Sequence, residues 1–272
     1  MANLVFFWLG ILVLCVNKIR YSWRGYHRPR TFSVTDIERV IAYDTGVVNH
    51  WESSLVKYTK TAQPFVRAKV LEIGVGADLG VGHIVLARGA TAYIGVDKNR
   101  LIDSAPDELY EKLTNALPAL QRNRTRPLPT FMHDPEFRLR AVPRDKYLIV
   151  SNASFEHVDN VPQTLTDISR ITSSGSILCL TVDLQTHTRI LRNSDPLNIY
   201  RYPSWLYRWM HFPGIPNRVR PWVYEENLKK LGWSDIRIVP DIVIKNPKHL
   251  LHFRASRDHM EILQCTILAK RL

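Results

Sequence analysis

Between Val70 and Asp97 the chain reads VLEIGVGADLGVGHIVLARGATAYIGVD. An apolar, β-branched run (Val70, Leu71, Ile73) enters a glycine-rich turn, a short apolar helix follows, and a second strand ends on an acid. This strand–turn–helix–strand order is the nucleotide-gripping unit of a doubly wound α/β sheet. Gly74 and Gly76 let the chain turn without a Cβ clash, so that backbone N–H groups can approach a ligand closely.

The rest of the chain repeats the alternation. Pro106–Leu120 has a helical leucine face, and Leu128–Met132 reads as a short strand ending at His133-Asp134. Lys146–Ser151 is a buried strand, Pro162 opens a helix carrying Leu165, Ile168 and Ile171, and Ile177–Leu184 is another buried strand. Glu225–Leu231 reads as a helix, and Ser234–Ile244 and Ile262–Lys270 as two closing strands. Strands alternating with helices predict one Rossmann-like, mostly parallel sheet. At 272 residues a single decorated domain is expected. Its boundaries are an N-terminal hydrophobic helix over residues 1–24, a helical cover over 25–66 and the catalytic domain over 67–272, with a lid at about 185–222. In the cover, Thr35 and Glu38 have capping-box spacing, and Asp44-Thr45-Gly46 is expected to divide the following apolar periodicity into two helices.

Residues Ala2 to Val16 carry no charge. Their 15 residues make roughly 22 Å of helix, short of the roughly 30 Å hydrocarbon core. The run lacks the basic start and Ala-x-Ala-like exit of a cleaved signal peptide. Lys18, Arg20, Arg24, Arg28 and Arg30 follow it, which by the positive-inside rule keeps the remainder in the cytoplasm. An uncleaved anchor, spanning or interfacial, is therefore expected; an apolar helix packed on the protein's own body competes with it. The formal net charge of +12 calls for an anionic partner or a solvated basic surface. Cys15, Cys179 and Cys265 make no disulfide framework, and neither Cys-x-x-Cys nor His-x-x-x-His occurs, so no metal is expected from spacing.

Three features sharpen the glycine loop: Glu72 precedes it, the glycines run Gly74-x-Gly76-x-x-x-Gly80, and Asp97 closes the next strand. In these features the chain resembles the class I S-adenosylmethionine-dependent methyltransferases, in their bacterial small-molecule and glycan branch, over roughly Lys69 to Leu272. The resemblance implies S-adenosyl-L-methionine as cofactor. It places Gly74 and Gly76 under the methionine and ribose portions, with Glu72 positioning the loop, Gly80 and Lys98 nearby, and Asp97 on the ribose hydroxyls. Asp134 matches the acid that contacts the adenine amine. Ser151 and Asn152 end the fourth strand, where substrate-side residues begin, and Ser154-Phe-Glu-His157-Val looks like the Glu-His segment such enzymes carry.

Other readings use the same unit. A nicotinamide dinucleotide would also engage Asp97, but the chain has no Tyr-x-x-x-Lys pair and no room for a second catalytic domain. An enzyme acting on exocyclic base amines would carry Asn/Asp-Pro-Pro-aromatic after the fourth strand, where this chain has Ser151-Asn152-Ala153-Ser154; no DNA partner is expected, and RNA stays open. A binding or scaffolding module that holds the cofactor without turnover is a further alternative.

Methyl transfer from a sulfonium is a direct displacement, so the protein supplies alignment and, for a hydroxyl acceptor, a base. The candidates are His157, Asp183 and His187, the spacing Asp183-x-x-x-His187 letting an acid orient an imidazole. The lid carries Arg189, Arg192, Tyr200, Arg201, Tyr202, Trp205, Tyr207, Arg208, Trp209, Arg218, Arg220 and Trp222. It reads as an acceptor cover, as a membrane-interface patch, or as an aromatic mini-core. The expectation is a membrane-associated, cytoplasm-facing methyltransferase for a small-molecule, glycan or lipid-linked acceptor.

Overall fold

The computed structural model describes residues 2–24, 37–117, 127–245 and 259–272. Seven strands form one sheet in the order β3-β2-β1-β4-β5-β7-β6. They are β1 (Lys69–Ile73), β2 (Ala92–Asp97), β3 (Thr130–His133), β4 (Leu148–Asn152), β5 (Ile177–Asp183), β6 (Trp233–Val243) and β7 (Ile262–Arg271). β1 to β5 pair in parallel, and β7 runs antiparallel between β5 and β6. The sheet is laid outward in both directions from β1 and β4. Their carboxyl ends are therefore the switch point, where a crevice opens and ligands bind.

Eight helices accompany the sheet among the described residues: α1 (Ala2–Arg24), α2 (Ile37–Thr59), α3 (Gly80–Ala87), α4 (Asp107–Ala116), α5 (Val161–Ile171), α6 (Arg189–Arg192), α7 (Ser204–Trp209) and α8 (Pro221–Lys230). Strand side chains alternate between the two faces, as the two-residue period of a strand requires. Val70, Tyr93, Leu148, Val150 and Cys179 pack with Trp51 and Leu55 of α2, Val85 of α3 and Leu109 of α4. Leu71, Ile73, Val96, Ile149 and Leu180 pack on the other side with Ile168 of α5 and Leu228 of α8. The free thiols of Cys179 and Cys265 are buried in these layers.

One expectation needs correction. α2 is one helix, not two, and it runs unbroken through Asp44-Thr45-Gly46. A glycine inside a helix costs about 1 kcal/mol relative to alanine. Burying Trp51 and Leu55, both fully covered, returns roughly 1.5–3 kcal/mol each for keeping the helix continuous. The start of that cover, with Thr35 and its capping box, lies outside the described residues. α1 is longer than the apolar run: it continues past Val16 to Arg24, so its 23 residues span about 34 Å.

Candidate active site

The glycine loop follows β1 at the switch point. Gly74 (φ +84°) and Gly76 (φ +82°) both take the left-handed conformation. The Gly74 N–H donates to Val96 O at 2.8 Å. Asp97, at the end of β2, accepts the Gly76 N–H at 3.0 Å on one carboxylate oxygen and the Asn99 N–H at 2.8 Å on the other. Asp97 thus pins the loop to the neighbouring strand before any ligand arrives. A Cβ on Gly74 would stand 2.0 Å from Ser154 Oγ and 2.4 Å from Ser154 Cβ. The loops after β1 and β4 therefore touch at a point where only glycine fits.

Four carboxyl groups surround this loop: Asp44, Glu72, Asp78 and Asp97, all facing one cavity of about 1380 Å³. Burial, with the Asp78 charge second, pushes Asp44 up to about 9. Burial pushes Glu72 up to about 8, against the pull of the Tyr93 hydroxyl that donates to it. Asp78 and Asp97 are also raised by burial, opposed by the backbone N–H groups they accept. Crowded, desolvated acids hold their protons until a positive charge joins them. Asp78 Oδ1 accepts the Gly80 N–H at 2.8 Å, so a carboxylate of the protein already occupies the start of α3. In a dinucleotide-binding fold a pyrophosphate sits there instead.

The other expected cofactor residues divide into three groups. Lys98 and Asn152 line the cavity, Lys98 with its ammonium 3.1 Å from Asp159 and Asn152 donating to Tyr43 Oη at 3.0 Å. Gly80 and Ser151 lie behind it. A Cβ on Gly80 would stand 2.0 Å from Asp44 Oδ2, and Ser151 Oγ donates to Ile73 O at 2.7 Å. Asp134 lines a separate groove of about 390 Å³. Its carboxylate oxygens accept the N–H groups of Glu136 (3.2 Å) and Leu139 (2.6 Å), shaping the turn after β3.

At the acceptor side, His157 and His187 line the same cavity, their rings 4.8 Å apart and steeply tilted. Burial, with His187 second, pushes His157 down to about 4, so its imidazole is neutral. Asp183 lies beneath, 3.4 Å from His187 Nε2 and 2.7 Å from the Arg192 guanidinium. Burial raises its carboxyl, but those two partners and the Gln185 N–H outweigh burial and leave it below its ordinary value. The three expected catalytic residues are therefore brought together. Glu156 joins them, 2% exposed and pushed by burial up to about 8.

The cavity's roof comes from α1 as well as from the helical cover and the lid that the sequence led us to expect. Val13, Leu14, Asn17, Arg20 and Tyr21 of α1 line it, as do Arg39 and Tyr43 of α2 and the 212–216 stretch of the lid. α1 is docked on the lid: Leu14 joins Ile199, Tyr202, Tyr207, Met210 and Ile215 in a small core. Asn198 Nδ2 donates to Phe6 O at 2.9 Å, and a Cβ on Gly10 would stand 2.0 Å from Tyr202 Oη. The lid is itself braced by Asp195, fully buried and held by Arg201 through three hydrogen bonds of 2.7–3.1 Å. Its tyrosines thus form the mini-core, while Trp205 and Trp209 stay exposed. The available signal was Asn17, Arg20 and Tyr21, within one helical turn of one another directly after the apolar run.

Several solved structures that share this architecture are methyltransferases. The CurJ carbon methyltransferase superposes with a TM-score of 0.55 at 15% identity, over 96% of this chain and 66% of its own, so the chain spans about two thirds of that protein's length. A Galdieria sulphuraria protein proposed to be a sarcosine dimethylglycine methyltransferase superposes at 0.51 and 14% identity, over 94% of this chain and 98% of its own. Magnesium protoporphyrin IX methyltransferase from Synechocystis PCC 6803, solved with bound SAH, gives 0.47 and 15%, over 92% and 93%. No protein-family model matches the sequence, and no curated protein matches it. The chain has the fold of the S-adenosylmethionine-dependent class I methyltransferases.

Proposed function

We propose that this chain binds S-adenosyl-L-methionine and transfers its methyl group to an amphiphilic, membrane-resident small molecule. The observation that carries the cofactor is the acid-ringed glycine loop. A ligand bearing a sulfonium and an ammonium supplies the positive charge that Asp44, Glu72, Asp78 and Asp97 lack and favours their ionised forms, whereas a pyrophosphate would add negative charge where those carboxyls already crowd one another. The Asp97 carboxylate stands where it can accept the ribose hydroxyls while holding Gly76.

In the transfer, the acceptor's nucleophilic atom displaces the thioether. A bond forms to the methyl carbon, the C–S bond breaks with its electron pair on sulfur, and the acceptor's proton passes to a base. His187, oriented by Asp183, and the neutral His157 stand at the acceptor end for that role.

Membrane delivery rests on α1. Its inner face lines the cavity, while Val5, Trp8, Leu12, Val16, Ile19 and Trp23 are exposed on the outside. Exposed Trp205 and Trp209 extend the lid's outer surface, and Lys18 lies over the Trp209 ring. An apolar face edged by tryptophan and basic residues suits the headgroup boundary of an anionic leaflet. With Leu14 buried and Asn17 and Arg20 in the cavity wall, α1 lies in the interface instead of crossing it, and the cavity opens beside the lipid.

Isothermal titration of the full-length protein in mild detergent should give saturable S-adenosylmethionine binding that NAD does not displace. Asp97→Ala should weaken it about 10- to 100-fold, for the loss of charged hydrogen bonds worth roughly 1.5–3 kcal/mol. Competition by NAD, or an Asp97→Ala variant equal to the parent, would reject the cofactor assignment. Sedimentation with anionic vesicles should carry the protein down, and Trp8→Glu/Leu12→Glu should leave it in the supernatant with cofactor binding intact. A parent protein that stays soluble would reject the interfacial role alone.

A further inference from the structure

Glu156, His157 and His187 present one ligand atom each within 4.8 Å of one another. Both carboxylate oxygens of Glu156, Nδ1 of His157 and Nε2 of His187 are buried without a well-aligned hydrogen bond; Glu156 has only backbone N–H groups of its own and of Asp183 near it, and His187 Nε2 approaches Asp183 Oδ2 at 3.4 Å. Buried polar atoms with poor partners favour a ligand that completes their bonding. We infer that these three residues form a divalent transition-metal site, two imidazoles and one carboxylate, on the acceptor side of the cavity.

The geometry and donor chemistry both fit. The centre of a triangle with sides of at most 4.8 Å lies within about 2.8 Å of each corner, so side-chain movements of roughly 0.7 Å reach the 2.0–2.2 Å of metal–nitrogen and metal–carboxylate bonds. Two nitrogens and one oxygen suit Zn²⁺, Mn²⁺ or Fe²⁺ better than the all-oxygen shells of Mg²⁺ and Ca²⁺. Three protein ligands leave positions open, and since both histidines line the cavity, those positions face the acceptor. The residues come from the turn after β4 and the strand end after β5, which is why no ligand spacing appears in the sequence.

The site itself stands on these contacts alone; its use rests on the proposed methyl transfer. There an oxygen of the acceptor would complete the shell, so the acceptor class is narrowed to molecules carrying a hydroxyl or an adjacent pair of oxygens. An ion polarising that oxygen would also ease loss of its proton without a free imidazole.

The test is equilibrium dialysis of the full-length protein against Mn²⁺ and Zn²⁺, with Mn²⁺ also followed by electron paramagnetic resonance, and with S-adenosylmethionine titrated in parallel. One ion per chain is expected. His187→Ala and Glu156→Gln should each weaken it at least 10-fold while leaving cofactor affinity and the melting temperature near those of the parent. Absence of saturable binding, or equal binding in the His157→Ala/His187→Ala variant, overturns the site. Cofactor binding that persists in that case leaves the methyltransferase assignment standing; a site that binds ions in a protein that binds no cofactor leaves the metal and rejects the transfer.

Discussion

Gly74 offers a sharp test of how the cofactor loop is held. An alanine there meets two separate obstacles. Its φ of +84° costs an L-residue roughly 1–2 kcal/mol. Its Cβ would also stand 2.4 Å from Ser154 Cβ, an atom that cannot swing away, as well as 2.0 Å from the hydroxyl. Forcing an extra carbon into such a contact costs about 1–3 kcal/mol more. Gly74→Ala should therefore lose about 2–5 kcal/mol of stability and most of the cofactor affinity. The second obstacle vanishes if Ser154 is cut back, so Gly74→Ala/Ser154→Gly should recover the clash and retain the φ penalty. A double-mutant cycle from urea unfolding should accordingly return a favourable coupling of about 1–3 kcal/mol, with cofactor titrations moving in parallel. Coupling near zero would mean that the loops after β1 and β4 do not meet, and the reasoning about the site's floor would fail with it.

Two further perturbations follow from buried charge. Glu72 is held at about 8 in the folded chain against an ordinary 4.5, so the folded state keeps a proton that the unfolded state releases. Its contribution is complete below pH 4.5 and is lost as pH rises through 8, up to about 5 kcal/mol in the cofactor-free protein. Urea midpoints should fall between pH 5 and 8.5, and Glu72→Gln should flatten that slope without removing it, because Asp44 titrates in the same direction. A cationic ligand favours the ionised acids, so S-adenosylmethionine affinity should rise from pH 6 to 8, with protons released in calorimetry across buffers; a flat affinity would contradict the charge argument. In the lid, Asp195→Ala removes the fully buried carboxylate that accepts three hydrogen bonds from Arg201 and should cost about 3–5 kcal/mol locally, read as faster proteolysis within residues 185–222. Cleavage at the parent's rate would show that the pair does not brace the lid.

The sheet was legible because its signals are local. Strands buried on both faces run apolar over most of their length, as Ile177–Leu180 does, and a glycine loop that turns with positive φ favours glycine. What escaped was settled at a distance. Asp44-Thr45-Gly46 looks like a break when only propensity is weighed; Trp51 and Leu55 keep α2 whole because each finds a place between α3 and the sheet. Asp44 then becomes part of the cofactor wall, a role that no spacing within α2 announces. The N-terminal helix shows the same limit from the other side. Its apolar composition pointed to lipid, and its residues Trp8, Leu12 and Trp23 are exposed. Gly10, however, reads as one more apolar residue until Tyr202 and Asn198, nearly two hundred positions later, are found against it. That contact makes α1 a wall of the cavity: Val13, Leu14, Asn17, Arg20 and Tyr21 line it while Val5, Trp8 and Leu12 stay exposed, a division of faces that only the packing against residues 198–202, and not the composition of the segment, assigns.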